Sequence, residues 1–286
     1  MFADLHLHTH FSDGTFTPEE LVRRAGQVGL AGIALTDHDT LDGCARTAAA
    51  CAAAGIEFIP GTELTAELEG REVHLLGYGL DPEHPRVIEE MAKFQDARQE
   101  RIRIMTARLV ERGVPLSAES VFALAGCKSP GRPHVARALV RAGHCRSVPE
   151  AFERFLKRDK PAWAPKRRVS AAFAIRLIHD AGGVAVLAHP GLTRSDPLIP
   201  ALADLGLDGL ECWHTAHSRS QTERYRELAN ECRLLITGGS DCHGLNKGQP
   251  VIGGVKLPWA YFEAVRERAA ARRAALRAPV AAATTD

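Results

Sequence analysis

Within its first fourteen residues the chain carries Asp4-Leu5-His6-Leu7-His8-Thr9-His10-Phe11-Ser12-Asp13-Gly14. Side chains alternate sides along a strand, so Asp4, His6 and His8 fall on one face. Two imidazoles on one face can grip a single cation, and Asp13 adds a carboxylate just past the strand end. Similar donors recur at or near the ends of apolar runs: His38, Glu63, His74, His189, Asp241 and His243. Imidazole and carboxylate without thiolate suit a hydrolytic site rather than a Cys-rich structural zinc site. Mn²⁺ is the expected ion, with Zn²⁺ or Fe²⁺ as alternatives. His6, His8, Asp13, His38, Glu63, His74, His189, Asp241 and His243 are too many for one ion, so two or three are expected, with a bridging carboxylate. Such clusters activate water at neutral pH and neutralise charge on a phosphoryl group during in-line attack. A lone histidine is more often a packed core residue; donors at one strand end after another are harder to explain that way.

Alternating strand and helix patterns must position these donors. A strand over 2–8 precedes Thr17-Pro18-Glu19-Glu20, which reads as N-cap, N1 proline and a glutamate closing a capping box. Strands are expected at 32–36, 57–60 and 72–78, then at 184–188, 209–213 and 234–237, with helices at 42–54, 170–181 and 220–232. Short apolar strands in repeated βα units argue for a parallel sheet, and functional residues just after the strands suit the C-terminal mouth of a barrel. From 85 to 158 no strand pattern is convincing. A long helix is expected over 87–112 and shorter ones at 118–125, 133–142 and 148–156. The expected organisation is therefore a discontinuous barrel, 1–84 and 159–286, with a helical insert at 85–158 capping the mouth. An Ala- and Arg-rich helix after Phe262 is expected to fray before Thr284-Thr285-Asp286.

Composition narrows the class. The 286 residues are 45% hydrophobic and 25% charged, ordinary for a folded soluble protein. Lys and Arg total 36 against 35 for Asp and Glu, so net charge points to no partner. No apolar stretch reaches membrane-span length, and no leader pattern is read at the N-terminus. Seven scattered cysteines with no C-x-x-C favour free thiols and a cytoplasmic location. Aromatic residues are 6% of the chain, too few for an extended base-stacking surface. No obligate protein partner is evident.

The segments Asp4-Leu5-His6-Leu7-His8-Thr9, Thr36-Asp37-His38-Asp39, Gly61-Thr62-Glu63, Leu187-Ala188-His189-Pro190 and Gly239-Ser240-Asp241-Cys242-His243-Gly244 resemble the hallmarks of the PHP (polymerase and histidinol phosphatase) family, in family order. That resemblance implies an α/β fold, a distorted (β/α)7 barrel with an α-helical insertion, and a trinuclear metal centre. By position, His6, His8, Glu63 and Asp241 would hold one ion. Glu63 would bridge to a second held by His74 and His189, and Asp13, His38 and His243 would hold the third. Asp13 stands where many members carry histidine, which implies a weaker or differently selective third site.

Substrate choice falls to the insert. In Lys128-Ser129-Pro130-Gly131-Arg132-Pro133-His134 a glycine-proline loop opens a helix, whose free N–H groups, with Lys128 and Arg132, would suit a phosphate. The blander reading is a loop whose charges are merely solvated. Gly131 to His134, together with His214-Thr215-Ala216-His217-Ser218, resembles the 3′,5′-nucleotide bisphosphate phosphatase and 5′→3′ exoribonuclease AM branch of the family. This resemblance implies hydrolysis of the 3′-phosphate of 3′,5′-bisphosphonucleosides such as adenosine 3′,5′-bisphosphate, and trimming of short RNA from its 5′ end. The expected mechanism is direct attack by activated water. Asp241 would orient or deprotonate it, and Lys128, Ser129, Arg132 and His134 would clamp the second phosphate. His217 would protonate the leaving oxygen or bind phosphate. Tyr78 is read as a mouth residue or a packed one, and Cys242 as packing. The alternatives are a histidinol-phosphate phosphatase, for which Lys128 and Arg132 carry the wrong sign, and a catalytically silent PHP module, which would be expected to lose ligands.

Overall fold

Thr17 caps the first helix as its sequence predicts: its side chain accepts the Glu20 N–H while the Glu20 carboxylate accepts the Thr17 N–H. The computed structural model, which describes residues 1–246 and 248–277, repeats this economy of local signals along the chain. The expected fraying at 284–286 lies outside the described residues.

The order begins β1 (Phe2–Asp4), α1 (Pro18–Gln27), β2 (Gly32–Leu35), α2 (Cys44–Ala54), β3 (Glu57–Leu68) and β4 (Arg71–Tyr78). Four helices follow: α3 (Pro85–Val110), α4 (Ala118–Ala125), α5 (Arg132–Arg141) and α6 (Val148–Ala151), which runs into a π-helical turn at Phe152–Leu156. The barrel resumes with β5 (Val169–Ser170), α7 (Ala171–Asp180), β6 (Val184–Leu187), α8 (Pro190–Thr193) and α9 (Ile199–Asp204). It ends with β7 (Gly209–His214), α10 (Arg219–Glu231), β8 (Leu235–Gly239), β9 (Leu257–Pro258) and α11 (Trp259–Arg277).

The sheet runs β8-β7-β6-β4-β3-β2-β1-β9, with β5 beside β3. Beyond β1 the chain folds against β8: the Leu5 N–H donates to Gly238 O, and the His8 N–H to Cys242 O. The sheet thus curls into a nearly closed barrel with helices outside, the α/β architecture expected. Two features depart from the expected all-parallel sheet: the short β9 is antiparallel to β1, and the second departure bears on the site. β4 is antiparallel to both β3 and β6. The two-residue turn at Glu69-Gly70, both with positive φ, returns the chain directly, and a hairpin can pair only antiparallel strands. His74 therefore enters the site from mid-strand opposite Thr65, diagonal to Glu63 on the same face.

The core divides by layer. Ala3, Leu5, Leu76, Val186 and Phe262 fill one part of the barrel, and Leu7, Leu21, Ile33 and Cys242 another. Tyr78 is packed, fully buried, with its hydroxyl donating to Leu5 O at 2.9 Å. The insert has its own apolar cluster running from Ile102 to Ala164, whereas Val87, Met91 and Phe94 of α3 pack with the barrel. α3 thus ties the two cores together. All seven cysteines are free thiols. Among the described residues no helix is long and apolar enough to cross a membrane.

Candidate metal centre and anion pocket

The nine donors singled out by sequence converge at one rim. Three groups have ligand atoms within 4.8 Å of one another: His6, His8, Glu63 and Asp241; Glu63, His74 and His189; and His8, Asp13, His38 and His243. Glu63 links the first two. Its Oε2 lies 3.3 Å from His6 Nε2 and 3.4 Å from His8 Nε2, and its Oε1 lies 2.6 Å from His74 Nδ1 and 3.1 Å from His189 Nε2. His8 links the first group to the third, where Asp13 Oδ1 lies 3.2 Å from His243 Nε2 and 3.7 Å from His38 Nε2.

A cation is the natural occupant. Both ring nitrogens of His8, Asp13 Oδ1, His38 Nδ1 and His189 Nδ1 are buried without a hydrogen-bond partner among the described residues. Burying so many polar atoms unsatisfied is costly, and a divalent ion would satisfy the donors these groups share. Burial alone would raise the Glu63 pKa; His38, His74 and His6 outweigh it and hold the carboxyl well below its usual range. Asp241, less deeply buried, is likewise held well below by His243 and His6, against the effect of burial.

Backbone geometry aims these groups. His189 (φ 27°) and Asp241 (φ 53°) both adopt positive φ just beyond a strand, a conformation that costs energy in non-glycine residues. The His189 N–H donates to Glu211 Oε2 at 2.7 Å, which helps hold it there. Asp37 accepts the Thr9 N–H at 2.8 Å and the Ser12 hydroxyl at 2.6 Å, pinning the loop that delivers Asp13. Its carboxyl is nonetheless pushed up to about 6 by burial. Asp4 accepts the Ser240 N–H at 2.8 Å and so clips the β8 loop to the first strand.

Three functional groups were not singled out from sequence. Glu211, fully buried on β7, accepts from His6 Nδ1 at 3.0 Å. His214 Nδ1 accepts the Ala216 N–H, so its Nε2 carries the proton and stands 3.8 Å from Asp241 Oδ2. Lys166 places Nζ 3.3 Å from both His74 Nε2 and Glu72 Oε1. A carboxylate inside the apolar run Gly209-Leu210-Glu211-Cys212 was a visible signal for the first.

The insert residues are distributed differently from the expected clamp. Arg132 lines a cavity of ≈ 520 Å³ with Arg71, Arg101, Arg158, Lys166, Arg168 and Arg194, and Glu72 is its one lining carboxylate. Lys128 is exposed and pairs with Asp42 at 3.2 Å. Ser129 is buried and donates its hydroxyl to His38 O at 2.5 Å, fastening the insert to the rim. His134 is buried, and its Nδ1 accepts the Gly131 N–H at 3.0 Å, so one donor of the helix N-terminus is already taken within the helix. His217 has both nitrogens engaged: Nδ1 donates to Cys212 O at 2.9 Å, and Nε2 accepts the Gly191 N–H at 3.3 Å. Burial depresses its pKa further, which favours the neutral ring. Arg101 shows what the basic cavity lacks: burial, with Arg132 and Arg98 nearby, pushes its pKa down to about 9. Lys166 and Arg168 are paired with Glu72 and Glu67, whereas Arg101 and Arg132 have no carboxylate partner among the described residues, a setting that suits an anion.

Barrel, clustered donors and basic cavity define a metal-dependent phosphoric ester hydrolase. The PHP domain model matches residues 4–156, and the chain belongs to that family. It is 34% identical over 258 residues to the 3′,5′-nucleoside bisphosphate phosphatase of Chromobacterium violaceum, spanning 87% of this chain and 90% of that one. It is also 34% identical over 249 residues to the 5′-3′ exoribonuclease Rnm of Salmonella typhimurium, covering 84% of each. A crystal structure from Bifidobacterium adolescentis, assigned as a metal-dependent phosphoesterase, superposes with a TM-score of 0.86 at 35% identity, over 93% of this chain and 96% of that one.

Proposed function

We propose that this chain hydrolyses the 3′-phosphate of 3′,5′-bisphosphonucleosides, and by the same chemistry releases mononucleotides from the 5′ end of short 5′-phosphorylated RNA. The observation that carries this reading is the basic cavity beside the Glu63, His74 and His189 group, whose lining Lys166 and Glu72 both contact His74. A phosphate in that cavity would meet Lys166, whose Nζ stands 3.3 Å from His74 Nε2. The relative named 3′,5′-nucleoside bisphosphate phosphatase supports a doubly phosphorylated substrate, and the one named 5′-3′ exoribonuclease supports the trimming of RNA.

Divalent ions held by the three groups, with Mn²⁺ the expected species, would lower the pKa of water and offset charge on the attacked phosphoryl group. Everything else falls to side chains. Arg101, Arg132 and Lys166 hold the distal 5′-phosphate and so fix the 3′-phosphate over Glu63 and Asp241. Asp241, between His8 at 3.1 Å and His214 at 3.8 Å, accepts the proton of the attacking water. His214 Nε2 carries a proton towards the leaving 3′-oxygen. His217 holds the His189-Pro190-Gly191 turn through Gly191 and replaces the proton-donor role expected of it with a positioning one. Two separated anion sites favour a doubly phosphorylated substrate, because buried cations without an anion are costly.

The test is a parallel incubation of Mn²⁺-loaded protein with adenosine 3′,5′-bisphosphate, a 5′-phosphorylated dinucleotide and histidinol phosphate. Phosphate and adenosine 5′-monophosphate from the first, with slow turnover of the third, are the expected products. Preferential hydrolysis of histidinol phosphate, whose amine the basic cavity repels, would overturn the reading.

A further inference from the structure

A second cavity, of ≈ 710 Å³, borders the donor group that contains Asp13 and His243. Asp13 and His243 of the third group form its inner edge, and Pro133, Val148, Pro149 and Phe152 of the insert form its wall. The basic cavity adjoins the group containing His74, which shares no residue with the group containing Asp13 and His243. The two cavities therefore border different donor groups. Phe152 begins the π-helical turn, an irregularity often found where a helix presents a functional side chain. The Arg132 guanidinium, which lines the basic cavity, lies over its ring at 5.7 Å, so the two cavities meet at this pair.

We infer that this apolar cavity is a subsite for the nucleobase of the second nucleoside of an oligonucleotide, the one held on the attacked phosphate through O5′, with Phe152 as its stacking platform. The inference rests on the proposed reaction. In a 5′-phosphorylated dinucleotide the bond broken is P–O3′ of the first nucleoside. Water supplies the new P–O bond, and a proton goes to O3′. The second nucleoside stays on the phosphorus through its O5′ and leaves as a 5′-monophosphate. With the 5′-phosphate in the basic cavity and the attacked phosphorus at the donor groups, the larger of the cavities bordering His243, the one that Asp13 also edges, is open to that second nucleoside. There the cavity offers apolar walls and an aromatic ring, the surface a base stacks on regardless of its identity, and a volume within the range of small-ligand sites. A 3′-phosphomonoester leaves the same space to solvent. The subsite would separate oligonucleotide trimming from bisphosphate hydrolysis within one centre.

The experiment compares kcat/KM for a 5′-phosphorylated adenylyl dinucleotide with that for adenosine 3′,5′-bisphosphate in wild type, Phe152→Ala, Val148→Trp and Phe152→Trp, all Mn²⁺-loaded. The ratio of dinucleotide to bisphosphate is expected to fall at least ~10-fold when the ring is removed or the cavity filled, and to stay within about threefold in Phe152→Trp. A dinucleotide whose second nucleoside lacks its base should lose a similar factor on wild type. An unchanged ratio in Phe152→Ala and Val148→Trp, including equal losses on both substrates, would overturn the subsite while leaving the bisphosphatase reading standing. Failure of wild type to turn over either substrate would instead overturn that reading.

Discussion

His6 Nδ1 donates to Glu211 Oε1 across 3.0 Å, which turns the Nε2 lone pair of the same ring towards Glu63 and Asp241. A carboxylate behind a ligating histidine fixes its tautomer and raises its basicity. Glu211 also accepts the His189 N–H, so one buried side chain sets two donors from different strands. Glu211→Gln is expected to lower metal affinity and kcat roughly 10- to 100-fold while the fold persists. Metal titration alongside circular dichroism checks this; wild-type affinity in the variant would make Glu211 mere packing.

The basic cavity predicts a substrate-dependent loss. Arg132→Ala or Lys166→Ala should reduce kcat/KM for adenosine 3′,5′-bisphosphate roughly 10- to 100-fold, the scale of a lost hydrogen bond between charged groups. Hydrolysis of p-nitrophenyl phosphate, which has no second phosphate, should change by less than about threefold. Equal losses on both substrates would remove these cations from the clamp.

Gly239 shows how tightly the rim is packed. A Cβ built there would lie 2.3 Å from His6 Cβ and 2.4 Å from the His6 backbone nitrogen. Neither neighbour can swing away, since one belongs to the main chain. Gly239→Ala is expected to cost about 3 kcal/mol of stability and to reduce activity by displacing His6. Denaturant unfolding measures the first effect and phosphate release the second.

At the opposite face, α11 is latched to the barrel by Asp208. Its carboxylate accepts the Ala185 N–H at 2.9 Å, His179 Nε2 at 2.8 Å and the Arg272 guanidinium at 2.8 and 2.9 Å. Burial would raise its pKa, but these hydrogen bonds lower it from 3.8 to about 2. The unfolded chain therefore binds the extra proton first as pH falls. The contribution, about 2 kcal/mol, is fully present above pH 4 and is lost as pH drops towards 2. Unfolding free energies of wild type and Asp208→Asn, compared across that window, should converge at the acid end. A constant difference would place the stabilisation elsewhere.

The strand ends were legible because a histidine or carboxylate closing an apolar run has few structural uses. His6, His8, His38, His189 and Asp241 all announced themselves that way, and Thr17 with Glu20 marked a helix start. Strand direction was not legible. The alternation of β4 reads the same parallel or antiparallel, and only the positive-φ pair Glu69-Gly70 turns the chain back at once. The anion pocket was harder still. Arg101 sits mid-helix among Arg98, Arg103 and Arg108, a pattern that reads as a solvated face, yet it is buried and donates to Ala164 O. Lys166 stands in a basic run 166–168 with nothing local to separate it from its neighbours. His134 illustrates the converse: its place at the third position of a helix suggested a phosphate contact, whereas its ring closes the helix end by accepting the Gly131 N–H.

Metal content tests the central claim most directly, that distant donors meet to hold several ions at one rim. His8 belongs to two of the three donor groups, and the third needs only Glu63, His74 and His189. Elemental analysis of Mn²⁺-loaded protein after removal of free metal should find two to three ions per wild-type chain, and about one in His8→Asn with turnover abolished. An unaltered ion count with full activity in His8→Asn, or a wild-type enzyme that works after complete metal removal, would contradict the account.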